Sequence, residues 1–337
     1  MIWAVIAIGV ILVVVLQRTS AEKALQALEA DRRPDSLLAE SEVPTSVSVT
    51  LENRSRKFIP FASVSCQLSF ALEAGFSFST WLLPQQQVQR SFPITVSKRG
   101  RFVLEEMQIS CGDFLGLKEE KKRSGSFQEI IVPPKPLDVL LLDTLVGGFL
   151  GDISARRFIL EDPVLTLGFR EYTGCEPMKR ISWTQSARHN TLLVKKHDYT
   201  MDPSVSVMLN VETDLQEPEA ALEACFSAAR SVCAVLEEKG IRYSFSTNAL
   251  LLGRKHDNSG ISGLGQRHFG AILEVLGRAS GSTVLSLETL LEKELQQPGF
   301  HGRILITPGG NELNTRLSGR LQEAGGLLII RGREVAP

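Results

Sequence analysis

The chain has 337 residues, 43% hydrophobic and 22% charged, with a formal net charge of −1 at pH 7. That length suggests two or three folding units with real cores, which excludes a disordered chain. A near-zero charge excludes electrostatic capture of nucleic acid by the whole molecule, and five scattered cysteines without CxxC spacing exclude a disulfide scaffold and fit a reducing compartment.

Residues 1–16 carry no charged side chain and are dominated by Ile, Val, Leu, Ala and Trp. At about 1.5 Å per residue they would span roughly 24 Å as a helix, and Gln17, Thr19 and Ser20 extend the run. No Lys or Arg precedes the apolar run, so residues 1–20 predict a transmembrane signal anchor and not a cleaved signal peptide. Arg18, Lys23, Arg32 and Arg33 all follow it. The positive-inside rule then predicts a single-pass cell-membrane protein with its large C-terminal part in the cytoplasm. Residues 21–40 read as a linker, with a helical continuation over 22–32 that Pro34 ends.

Residues 41–135 predict a small β-sandwich. Positions 46–51 and 63–70 alternate with period two, as half-buried strands do. Further strands are expected at 88–96, 101–110 and 127–132, with Gly100, Gly112 and Gly125 between them. Cys66 and Cys111 read as core positions. Residues 133–136, Pro-Pro-Lys-Pro, read as a stiff linker.

Residues 136–200 lead into a domain of alternating strands and helices over 201–337. Strands are expected at 204–211, 241–246, 303–307 and 327–330, and helices at 217–239, 266–278, 287–295 and 312–323. Leu222, Phe226, Ala229, Val232, Cys233 and Leu236 recur at helical spacing, and Gly240 supplies a stop. This order predicts an open, mostly parallel α/β sheet with helices on both faces and ligands at the carboxyl ends of its strands.

Two constellations could carry chemistry. Asn210, Glu212 and Asp214 follow the first strand of this domain, and oxygen side chains at i, i+2 and i+4 can converge on a hard cation such as Mg²⁺. Thr307 would lie on the same edge, but it brings no carboxylate. The bland alternative is a polar loop after a strand. The second constellation is the stretch from Pro177 to His197, with five cations (Lys179, Arg180, Arg188, Lys195, Lys196) and no acid. It could bind an anion or an acidic protein surface. It could equally be braced internally, with Arg170 and Arg188 paired to Glu161, Asp162, Glu171 or Glu176. His189 and His197 have no nucleophile at a suggestive spacing, and Cys175 is a thiol candidate by setting alone. The glycines at 260–265 lack the Lys-Ser/Thr ending of a phosphate loop.

Arg170, Glu171, Tyr172 and Gly174, followed by Arg180-Ile-Ser-Trp183 and Ser186-Ala-Arg188, resemble the signature of the domain-of-unknown-function-58 family. Those are bacterial membrane-anchored proteins with a von Willebrand A-like domain. Residues 98–102 and 112–117 look like further landmarks, and the resemblance covers roughly residues 40–337. Cys175 stands where the family has Asp, and Asn210-x-Glu212-x-Asp214 stands where its metal motif reads D-x-S-x-S. These departures argue against standard metal-dependent ligand binding. The resemblance implies a non-enzymatic, membrane-anchored scaffold or adaptor without a cofactor. Its implied partners are a MoxR-type AAA+ ATPase and a transglutaminase-like membrane protein, in protein assembly or maturation. An Mg-dependent hydrolase or transferase using Glu212 and Asp214, and an extracytoplasmic adhesion module, are the alternatives.

Overall fold

A computed structural model describes residues 22–72, 75–112, 119–157, 166–174, 177–197, 204–213, 219–253, 261–297, 299–309, 315–323 and 326–335. The chain divides into two compact units. One is Met1–Lys135 with Leu273–Ala279, and the other is Pro136–Ile272 with Ser280–Pro337.

The first unit contains β1 (Leu28–Pro34), β2 (Thr45–Asn53), β3 (Ile59–Gln67), β4 (Gly75–Leu82), β5 (Gln87–Ile94), β6 (Gly100–Val103), β7 (Met107–Gly112), β8 (Glu119–Ser124) and β9 (Glu129–Val132). They form an antiparallel sheet in the order β1-β2-β5, a second in the order β4-β3-β7-β8, and the pair β6-β9. The two larger sheets share one core, built from Leu28, Val47, Val49, Leu51, Ile59, Val64, Leu82, Met107 and Ile109 among others. Each such side chain contributes about 1.5–3 kcal/mol by leaving water. The strand alternation that the sequence displays at Val47, Val49 and Leu51 is what points this row inward. Buried Asn53 closes the following turn: its amide donates to Lys57 O (2.9 Å) and Leu83 O (2.8 Å), and its oxygen accepts from Ser55 N (3.0 Å).

The helix expected over 22–32 is cut short. Helical backbone covers 22–27, and the chain then enters β1. Along β1, Leu28, Ala30 and Arg32 are buried at every second position, and the strand pairs with β2 from Leu28↔Asn53 to Pro34↔Val47. Cross-strand pairing overrides helix propensity here. The single strand expected over 101–110 is split into β6 and β7, which belong to different sheets.

The second unit contains α1 (Val139–Arg157), β10 (Thr166–Glu171), a 3-10 turn (Met178–Arg180), α2 (Trp183–His189), β11 (Leu193–His197), β12 (Ser204–Leu209), α3 (Glu219–Glu238), β13 (Arg242–Thr247), β14 (Ala249–Leu251), β15 (Ile261–Gly263), α4 (Gln266–Arg278), β16 (Ala279–Thr283), α5 (Leu287–Leu295), β17 (Gly302–Thr307), α6 (Thr315–Glu323), β18 (Leu327–Arg331) and α7 (Gly332–Val335). The C-terminal part of α4, from Leu273, and the first residue of β16 belong to the first unit. The largest sheet runs β15-β13-β12-β17-β18. Buried Phe226, Ala229, Val232, Cys233 and Leu236 give α3 its inner face. Leu287, Leu290, Leu291 and Leu321 of α5 and α6 cluster with Met208 and Leu305 of the sheet. Gly332 lets α7 approach α3 closely, because a Cβ there would sit 2.1 Å from Ala221 O.

These observations correct the expected fold class. The open, mostly parallel von Willebrand A-like α/β sheet does not form as expected. The sheet is mixed, because β15 lies antiparallel to β13 beside the parallel pairs β13-β12, β12-β17 and β17-β18. Two-stranded sheets β10-β11 and β14-β16 stand apart from it, and the described chain as a whole has many small sheets, with the first unit built almost wholly of strands. The single-pass cell-membrane assignment is corrected too. Among the described residues no helix is long and apolar enough to cross a membrane. The transmembrane helix expected over 1–20 itself lies outside the described residues.

Candidate functional site

The basic stretch folds back on a hairpin. β10 and β11 pair antiparallel, with Phe169↔Lys195, Arg170↔Val194 and Glu171↔Leu193 opposite each other. The segment between them is pinned from inside. Ser182 N donates to Leu193 O (2.9 Å), Tyr172 N to Leu192 O (2.8 Å), and Leu193 N to the Ser186 hydroxyl (2.8 Å). Ile181 bridges to Val194, and both are buried. Gly174 takes a positive φ of 92°, which its lack of a Cβ permits. Asn190 ends α2 in the left-handed conformation.

Ser186 is therefore a structural pin. Trp183 is the opposite case: it opens α2 and remains 59% exposed. Met178, Phe169 and Leu192 are exposed as well, as are Arg170, Glu171, Gly174, Lys179, Arg188 and Lys195. Arg170 retains interactions within the protein, whereas Arg188 forms no ion pair with any described residue. Arg180 has its backbone in the 3-10 turn, and its side chain lies outside the described residues, as do Glu161, Asp162, Cys175 and Glu176. The segment thus carries a large aromatic side chain and several cations in water, held by a rigid backbone.

The second constellation lies where β12, β13 and β17 end. Asn210, Asn248 and Thr307 are buried there together. The Asn210 amide donates to Thr307 Oγ1 (3.0 Å), and its Oδ1 accepts from Asn248 Nδ2 (2.7 Å) and Glu212 N (3.0 Å). Asn248 Oδ1 accepts from Val211 N (2.9 Å). Glu212 reaches away, and its Oε2 accepts from Leu287 N (2.8 Å), the first residue of α5. Asp214 lies outside the described residues.

This donor set does not fit a hard cation, which needs several free oxygens. Asn210 Oδ1 already accepts two hydrogen bonds, Thr307 Oγ1 one, and the only carboxylate of the described trio caps a helix. Among the described residues no group of three or more His, Cys, Asp or Glu side chains could hold a metal. The network instead ties three strand ends to one another and to α5. Sequence reasoning missed Asn248. Its signal was its place just past the end of β13, on the same edge as Asn210 and Thr307.

No family model matches the chain, and no curated protein matches its sequence. Among solved structures it is similar to a CARDB domain from Pyrococcus furiosus, with TM-score 0.24 and 13% identity over 31% of this chain and 86% of that one. It is also similar to BslA, a bacterial hydrophobin, with TM-score 0.24 and 5% identity over 32% of this chain and 97% of that one. Neither likeness bears on function at these scores.

Proposed function

We propose that the chain is a non-enzymatic scaffold or adaptor whose hairpin and α2 segment receives an acidic face of a protein partner. The exposed Trp183 carries this reading. A tryptophan left in water on a backbone pinned by Ser182, Ser186 and Ile181 has given up burial while keeping a fixed position. Trp and Arg are the residue types that most often dominate binding energy at protein interfaces. Lys179, Arg188 and Lys195 on the same segment favour an acidic partner, and like-charged partners are disfavoured. The resemblance of the segment to the domain-of-unknown-function-58 signature makes a MoxR-type AAA+ ATPase the partner to try. The Mg-dependent hydrolase reading loses support because Asn210, Glu212 and Thr307 spend their polar groups on the fold.

The test is titration calorimetry of the purified chain against a purified MoxR-type AAA+ ATPase. Trp183→Ala and Arg188→Glu alter exposed side chains, so the fold should persist. Each is expected to weaken binding at least about tenfold. Binding unchanged in both variants, or no binding by the parent chain, would overturn the proposal.

A further inference from the structure

Four strands form the outer edges of the two facing sheets of the first unit: β1 and β5 of one, β4 and β8 of the other. An edge strand presents a row of unpaired backbone N–H and C=O groups, and proteins usually block that row with charge or proline. β1 carries Glu29, Asp31, Arg32, Arg33 and Pro34. β8 is charged at every position from Glu119 to Arg123, and β5 has Arg90 and Pro93. β4 has neither device. It reads Gly-Phe-Ser-Phe-Ser-Thr-Trp-Leu over Gly75–Leu82. Beyond its ladder to β3, its backbone engages only the Thr80 hydroxyl, which donates to Trp81 O (3.2 Å), among the described residues.

We propose that β4 is a homodimerisation edge, where two copies of this chain pair β4 to β4 antiparallel about a twofold axis. Two four-stranded sheets then become one continuous sheet. Three observations favour a second copy over a foreign strand. First, β4 bears no charge, so its own copy meets no like charge across the axis. Second, the side-chain faces match. Phe76 and Leu82 point to the core, while Ser77, Ser79 and Trp81 point outward. An axis passing through any one residue sets positions of equal parity opposite each other, so both copies keep core-facing residues on one side. Phe78, half-buried against Phe92 at 5.8 Å between ring centroids, gains cover where the sheet now stops. Third, selective capture of a foreign strand requires side-chain pockets at alternate positions. The outward row here offers Ser77 and Ser79, whereas an isologous contact needs only self-complementarity. Trp81, 55% exposed beside Phe58, adds apolar area at the end of the strand. Pairing along one strand is small for a protein interface, so the affinity should be on the order of micromolar or weaker.

Sedimentation equilibrium of the full chain over a concentration series tests this. The expected mass rises from 37.0 kDa toward twice that value. In Ser77→Lys/Ser79→Lys the new side chains point to solvent in the monomer but face like charge across the axis. The dissociation constant should rise by about tenfold or more, with an unchanged circular dichroism spectrum. Ser77→Glu/Ser79→Glu should behave the same way, and an equimolar mixture of the two variants should recover association. If the double Lys variant fails to fold, Ser79→Lys alone carries the same reading. A single 37.0 kDa species at every concentration would overturn the proposal. So would a dimer indifferent to the Lys variant, or one weakened by both variants but not recovered by mixing them.

Discussion

At the residue scale, Glu294 is a carboxyl group set in an apolar row, with Ser206 and Arg303 as its polar neighbours. It occupies the fourth place of the inner stripe of α5, after Leu287, Leu290 and Leu291, and is only 3% exposed. Burial pushes its carboxyl above the usual glutamate range. A carboxyl raised in the folded state favours the protonated form. Its contribution to stability is therefore full in acid, falls as pH rises from the ordinary glutamate value through the raised one, and stays low above that. Glu294→Gln keeps the shape and removes the titration. It should stabilise the protein by about 1 kcal/mol at neutral pH and change little in acid. Urea denaturation at the two pH values measures this, and a variant less stable than the parent at neutral pH would contradict it.

At the element scale, α5 shows how the presumed metal edge is used. Ser286 caps the helix, its hydroxyl accepting from Thr289 N (3.3 Å), and Glu212 supplies a second acceptor at Leu287 N (2.8 Å). A helix that runs only from Leu287 to Leu295 depends on such caps, because its unpaired N–H groups are a large share of its backbone. Ser286→Ala and Glu212→Ala should each cost about 1 kcal/mol. Excess Mg²⁺ should leave the melting temperature of the parent chain unchanged, since Glu212 is already engaged. A rise of several degrees that Glu212→Ala abolishes would restore the cation reading. Differential scanning calorimetry covers both measurements.

At the scale of the whole molecule, the first unit is not continuous in sequence. Leu273–Ala279 completes it. Gly277 permits the approach, since a Cβ there would meet Ile131 Cγ2 at 2.4 Å. Arg278 then reaches Glu129, which also accepts from Arg101 (2.7 Å), while Glu274 holds Arg278 from the preceding turn (2.8 Å). Burial alone would raise the Glu129 carboxyl, but Arg278 and Arg101 outweigh it and hold it below the usual range. Its stabilisation is thus present above the ordinary glutamate value and lost as pH falls through the depressed one. Glu129→Gln removes the charge that Arg278 and Arg101 share and should cost about 3 kcal/mol at neutral pH. Parent and variant should converge in acid. An equal cost in acid and at neutral pH would show that the loss is one of packing and not of charge pairing.

The sequence by itself determined what is periodic and local. The inward row Val47, Val49 and Leu51 of β2, the apolar stripe of α3 and its stop at Gly240 are all legible, because neighbours along the chain repeat with the period of the element they build. Asn210 and Glu212 could be placed just past a strand for the same reason. Only the tertiary structure decided what depends on residues distant in sequence. The partners of Asn210 are Asn248 and Thr307, and no spacing near Asn210 announces them. Leu28, Ala30 and Arg32 lie in a strand and not a helix because β2 is there to pair with them. β15 pairs antiparallel with β13, which makes the sheet mixed, and no pattern within the three residues of β15 announces that direction. Whether Trp183 and the edge of β4 stay in water is likewise a property of everything packed around them. Burial and strand pairing are sums over the folded chain, and local periodicity carries only the part of those sums that comes from sequence neighbours.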